Sequence, residues 1–279
     1  MKLHTIDTGF FKLDGGAMFG VVPKVIWHKT NPADENNLCT WAMRCMLVQD
    51  EGRLILIDTG MGNKQDAKFM GHYYLSGDAT IDSSLAKLGF GRDDITDVFL
   101  THLHFDHCGG AIIREGDKLV PGFKNATYWS NEQHWNWAVH PNDREKASFL
   151  KENILPIQES GRLKFIPAED GVWFTDNIKI RFAYGHTDAM MLPQISYKGK
   201  TVVHMADLLP SVGHIPMPYI MGYDMFPLTT LNEKKVFLTE AMEKEYILFL
   251  EHDPVNECCT LQMTEKGIRV KDVFRLEEV

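Results

Sequence analysis

What the sequence lacks removes several classes of protein at the outset. No run of eighteen apolar residues occurs in its 279 residues, so no transmembrane helix and no membrane partner are expected. The opening stretch, Met1-Lys2-Leu3-His4-Thr5-Ile6-Asp7, has neither the apolar segment nor the small-residue cleavage site of a secretory signal. Cysteine is scarce: Cys39, Cys45, Cys108, Cys258 and Cys259 are odd in number and form no C-x-x-C pair. That usage fits a reduced, cytoplasmic setting. Long Lys/Arg runs are missing too. With 29 basic against 38 acidic residues the formal charge is −9, which disfavours nucleic acid or an anionic membrane as partner. Low-complexity segments, short repeats and linker-like stretches are also absent, so residues 1–279 are expected to form a single domain.

What remains is the composition of a globular protein able to bury a sizeable core, 44% apolar and 24% charged. Residues 41–48 and 53–57 read as a hairpin turned by Gln49-Asp50-Glu51-Gly52. Residues 81–88 have helical spacing and stop at Gly89, and 97–101 form a short strand covered on both faces. Further on, 144–159 is expected to be helical, with a kink or early end at Pro156. Strands follow at 171–174, 178–184, 194–197 and 201–205, then a helix over 232–244 and a strand over 246–250. Residues 259–263 and 268–274 close the chain as a hairpin. Strands dominate with helices between them, which favours an α+β class of two sheets face to face with helices outside.

Of twelve histidines, three fall within six residues, at His102, His104 and His107, with Asp106 among them. The strand ending at Leu100-Thr101 delivers them into a loop that closes at Gly109-Gly110. His102 and His104 are two apart, so in extended backbone they point the same way and can share one metal. Asp106 and His107 then turn toward a second position. Imidazole nitrogen with carboxylate oxygen suits Zn²⁺, with Mn²⁺, Fe²⁺ or Co²⁺ as substitutes. Four such groups packed together would repel and desolvate badly without a cation.

This segment resembles the H-x-H-x-D-H signature of the metallo-β-lactamase superfamily, and the resemblance runs over most of the chain. Leu54-Ile55-Leu56-Ile57-Asp58-Thr59-Gly60 looks like the family's strand ending in Asp-Thr-Gly, and Gly185-His186-Thr187 like its third metal-binding station. Asp207, after Val202-Val203-His204-Met205-Ala206, is placed like the bridging carboxylate; His252, after Ile247-Leu248-Phe249-Leu250-Glu251, like the last histidine. The resemblance implies an αββα four-layer sandwich, two mixed sheets flanked by helices. It also implies two divalent ions, one on His102, His104 and His186, the other on Asp106, His107 and His252, bridged by Asp207. Asp58 would orient a ligand from outside the coordination shell. Two departures stand out: Asp188-Ala189-Met190 replaces the frequent Pro-Gly-His, and Ala206 replaces the frequent glycine.

The chemistry implied is hydrolysis by a hydroxide shared between the two metals, with Asp106 as a candidate proton carrier. The early run Leu13-Asp14-Gly15-Gly16-Ala17-Met18-Phe19-Gly20, with the 101–110 segment, is similar to the branch holding acyl-homoserine-lactone lactonases and methyl-parathion-hydrolase-like enzymes. Lactones or small carboxylic esters are therefore the expected substrates. The alternatives are aryl phosphotriesters and, less favoured, an iron-dependent oxidoreductase; the intact Asp106, His107 and His252 argue against the latter. A tyrosine that assists some lactonases, three residues beyond the bridging aspartate, is replaced here by Pro210. The 210–227 segment is expected to be a long loop lining an apolar pocket for an acyl or aryl group. Met18, Phe19, His214, Tyr223 and Phe226 are its candidate lining residues. The alternative is that these side chains fill the core or a homodimer contact. His204 is expected to be structural and His134 ordinary.

Overall fold

A computed structural model describes residues 1–279 throughout. The chain packs into two compact units, Met1–Gly9 with Met43–Glu169, and Phe10–Ala42 with Asp170–Val279. No helix is long and apolar enough to cross a membrane. All five cysteines are buried thiols.

The strands in the first half of the chain are β1 (Lys2–Asp14), β2 (Leu38–Asp50), β3 (Arg53–Ile57), β4 (Asp97–Phe99), β5 (Ile112–Glu115), β6 (Lys118–Pro121), β7 (Thr127–Ser130) and β8 (Leu163–Phe165). Six of them form a mixed sheet in the order β1-β2-β3-β4-β7-β8, while β5 and β6 make a separate hairpin. The expected β2–β3 hairpin is present and antiparallel. Beyond it β3, β4, β7 and β8 run parallel. Buried strands of this kind read as continuous apolar runs, and Leu54-Ile55-Leu56-Ile57 is such a run. Asp97 is the polar exception at the start of β4. It accepts from Arg53 (2.7 and 3.0 Å) and from Trp129 Nε1 (2.8 Å), so its burial is compensated.

The Ile81–Lys87 helix starts with a capping box, Thr80 Oγ1 accepting from Ser83 N (3.0 Å) and Ser83 Oγ from Thr80 N (2.9 Å). It ends as expected at Gly89, whose φ of +82° suits a residue without Cβ. The later helix begins at Lys151 rather than at residue 144. Residues 143–148 instead make turns, with Asn142 Oδ1 accepting from Arg144 N and Glu145 N. Pro156 lies inside that helix without ending it.

The remaining strands, β9 (Trp173–Thr175), β10 (Ile178–Ala183), β11 (Met190–Tyr197), β12 (Lys200–His204), β13 (Ile247–Phe249), β14 (Cys258–Thr264) and β15 (Gly267–Phe274), form a second mixed sheet in the order β15-β14-β13-β12-β11-β10-β9. Only β12 and β13 pair in parallel. β11 is longer than its expected 194–197 because it runs back through Pro193. Pro193 lies opposite Ile180 of β10, while the β12 ladder begins only at Gln194, so on that side no N–H is needed from the proline. The long helix runs Pro227–Glu243, starting earlier than residue 232 because Pro227 is at its first position, where a missing N–H costs nothing.

Candidate metal centre

In the first unit, β4 leads directly into the histidine loop. Leu100 N continues the ladder to Trp129 O (3.0 Å). Beside it, Asp58 follows β3 with a left-handed φ of 58°, a conformation costing a non-glycine residue about 1 kcal/mol. Its carboxylate offsets that cost. Oδ1 accepts from Thr101 N (2.8 Å), and Oδ2 accepts from Thr101 Oγ1 (2.6 Å) and from His107 Nδ1 (3.1 Å). Two glycines close the loop because nothing larger fits: a Cβ on Gly109 would lie 2.1 Å from Met61 O, and one on Gly110 2.1 Å from Thr59 O.

These contacts decide which ring nitrogen carries each proton. Thr101 Oγ1 has given its hydrogen to Asp58, so at 3.1 Å it accepts from His102 Nδ1–H. His104 Nε2 donates to Glu145 Oε1 (2.9 Å), since an ionised carboxylate only accepts. The other nitrogens, His102 Nε2 and His104 Nδ1, then present lone pairs to each other at 3.1 Å in a buried site. Two facing lone pairs repel unless a proton or a metal cation lies between them, so the donor chemistry fits a metal. His107 Nε2 lies 3.9 Å from Asp106 Oδ2, again pairing an imidazole nitrogen with a carboxylate oxygen.

Glu145 carries no spacing signal in the sequence. It is 1% exposed, takes the His104 proton on Oε1 and accepts from Trp137 Nε1 on Oε2 (2.7 Å). His134, read as ordinary, is an internal anchor: its Nε2 accepts from Leu103 N (2.9 Å) in the middle of the loop.

In the second unit His186, Asp207 and His252 each follow a strand, β10, β12 and β13 respectively. The Asp207 carboxylate lies between the two imidazoles, with Oδ2 3.2 Å from His186 Nε2 and Oδ1 3.1 Å from His252 Nε2. Both outer nitrogens are held. His252 Nδ1 donates to Ala42 O (2.7 Å) and His186 Nδ1 to Asp224 Oδ1 (2.9 Å), leaving the lone pair on each Nε2. Asp224, 1% exposed, is a second group without a sequence signal. Ala206, just before Asp207, has a φ of 40°, in the left-handed region that favours the glycine it replaces. His204 is buried in β12 with its Nε2 3.8 Å from Glu251 Oε2.

The five pocket candidates separate into two groups. Met18, Phe19 and His214 form an interior knot, with His214 lying flat on Phe19 (4.6 Å between centroids, 6° between planes). His214 Nε2 donates to Met18 O (2.8 Å), and Ser211 Oγ lies 2.9 Å from Nδ1. Burial pushes this imidazole down to about 3, so it is neutral. Tyr223 and Phe226 are 38% and 46% exposed on the 210–227 segment. Apart from a 3-10 turn over Val212–His214, that segment is irregular up to Pro227.

Comparison with known proteins gives three results. A family model described as Metallo-beta-lactamase superfamily matches residues 44–252. An N-acyl homoserine lactonase from Bacillus thuringiensis is 26% identical over 165 residues, 56% of this chain and 56% of that protein, so the chain spans about half the length of the curated relatives it matches. Among solved structures, a probable metal-dependent hydrolase from Staphylococcus aureus has a TM-score of 0.89 at 27% identity, covering 98% of this chain and 96% of that one. AidC, a dizinc quorum-quenching lactonase solved with a product, has a TM-score of 0.80 at 22% identity, covering 98% and 95%, and speaks to the fold alone.

Proposed function

The chain belongs to the metallo-β-lactamase superfamily and has its α+β fold of two mixed sheets flanked by helices, and from that premise we propose that it is a metal-dependent hydrolase of lactones or small carboxylic esters. In this reading His102, His104 and His186 hold one divalent cation, Asp106, His107 and His252 hold a second, and Asp207 bridges them. Zinc suits these donors best, and the relative AidC is a dizinc enzyme. The observation that carries the reading is Asp207, whose two oxygens each meet a different histidine Nε2, at 3.2 and 3.1 Å.

Two cations bound there would supply a nucleophile from water at neutral pH and polarise the carbonyl under attack. The chain's own groups do the rest. Asp58, Thr101, Glu145, Asp224 and the Ala42 carbonyl each hold a histidine proton on the outer nitrogen and so fix the ring. Asp106 is the proton carrier in this reading, and Asp106→Asn should lower turnover far more than it lowers stability. The side chains Tyr223 and Phe226 offer apolar surface to an acyl or aryl group.

The test is metal-reconstituted protein assayed side by side on long-chain lactones, aryl esters, thioesters and an aryl phosphotriester. Lactone or ester turnover that depends on two metals per chain supports the proposal. Turnover of the phosphotriester alone would select that substrate class instead. Oxygen uptake with a single iron would replace hydrolysis by oxidation.

A further inference from the structure

The Pro227–Glu243 helix carries two adjacent charged residues, Glu233 and Lys234, that the hydrolase reading leaves without a role. Lys234 is 0% exposed, and its ammonium faces backbone: Nζ donates to Pro216 O (2.8 Å), Tyr219 O (3.0 Å) and Met217 O (3.4 Å). Glu233 holds a different segment. Its Oε1 accepts from Tyr184 N (2.7 Å) and its Oε2 from Gly185 N (3.1 Å), the two N–H groups just ahead of His186.

The chain runs on from Tyr219 to Met225 and Phe226, and these two residues meet the His186 segment. Met225 N donates to His186 O (3.0 Å) and Phe226 N to Gly185 O (2.8 Å), which brings Asp224 Oδ1 to 2.9 Å from His186 Nδ1. Gly185 itself packs so closely on the helix that an added Cβ would lie 2.3 Å from Thr230 N. A buried ammonium is costly, and at this helix position an apolar side chain of similar length would fill the space at less cost. What such a side chain could not do is bind three carbonyls of a proline-rich stretch that has no ladder of its own.

We propose that Glu233 and Lys234 are positioning residues that hold the His186 segment and the Asp224 segment on one helix, so that Asp224 sets the ring orientation of His186. The metal-affinity part of this proposal rests on His186 being a ligand, as proposed above. The ring-orientation part does not.

The test uses the full chain with Lys234→Met, Glu233→Gln, Asp224→Asn and the Lys234→Met/Asp224→Asn pair. Three quantities are read: the His186 Nδ1–H resonance in metal-free protein, zinc affinity by chelator competition, and thermal unfolding of the metal-free form. Wild type should show a protected Nδ1–H resonance that both Asp224→Asn and Lys234→Met weaken, the former because a neutral amide oxygen accepts less strongly than a carboxylate. Lys234→Met should lower zinc affinity about tenfold, as loss of an outer partner of a metal ligand does. In the Asp224→Asn background it should lower it no further, because Lys234 acts through Asp224. Glu233→Gln should give the same pattern at smaller size, and it serves if Lys234→Met does not fold. Losses that add in the paired variant would overturn the proposal. So would a lower unfolding temperature with both the resonance and the zinc affinity unchanged. Wild type that binds zinc but hydrolyses nothing would sink the hydrolase reading and leave this one standing.

Discussion

Acid should destabilise this protein through His214, by an amount that can be worked from its surroundings. The ring lies on Phe19, donates from Nε2 to Met18 O and meets Ser211 Oγ at Nδ1. Adding a proton at Nδ1 would put a charge inside a fully enclosed stack. Burial accordingly holds the group at about 3, against 6.5 for an exposed imidazole. Between those values the unfolded chain takes up a proton that the folded chain refuses, so stability falls as the pH drops through that window. At about pH 4.5 the gap is about two units, and at roughly 1.4 kcal/mol per unit the cost is about 3 kcal/mol. His214→Gln removes the titrating group while keeping an N–H for Met18 O. It also loses the ring stack, worth about 1 kcal/mol. Urea unfolding of both proteins, stripped of metal by chelator, gives the difference at each pH. At neutral pH the variant should be the weaker by about 1 kcal/mol, and near pH 4.5 the stronger by about 2 kcal/mol. A difference that stays constant across that range would refute the reasoning.

Three other outcomes are expected. Gly185→Ala puts a Cβ 2.3 Å from Thr230 N and 2.5 Å from Thr230 Cα, where only backbone could yield. It should cost about 3 kcal/mol in chemical unfolding, whereas Gly71→Ala, in a helix with open space around it, should be neutral or stabilising. Glu145→Gln leaves an amide to serve both His104 Nε2 and Trp137 Nε1, so one of them loses its acceptor. Zinc affinity should fall about 10–100-fold by chelator competition, with a much smaller change in unfolding of the metal-free form. Thr80→Ala removes the capping box at the Ile81–Lys87 helix and should lower stability by about 1 kcal/mol, read as a shifted denaturant midpoint with an unchanged slope.

Much of the fold was legible in the residues alone because strands and helices answer to local pattern. Leu54-Ile55-Leu56-Ile57 has no reading but a buried strand, and a Gly89 after seven helical residues has few roles but a stop. Elsewhere tertiary contacts outweigh local preference. Pro193 stays within β11 because one side of it has no ladder to supply. Residues 144–150 abandon the expected helix for turns that bring Glu145 to His104.

The site divides along the same line. By itself the sequence determined the donor types: four within six residues in the H-x-H-x-D-H loop, and His186, Asp207 and His252 each at the end of an apolar run. Only the tertiary structure decided what holds them. Glu145 reaches His104 across 41 residues, Asp224 reaches His186 across 38, and His252 finds the Ala42 carbonyl across 210. Such partners leave no periodic trace, since a hydrogen bond between distant segments depends on how elements pack and not on spacing along the chain. Yet each partner fixes the proton on one ring nitrogen and thereby leaves the lone pair on the other, which is the property a metal ligand needs.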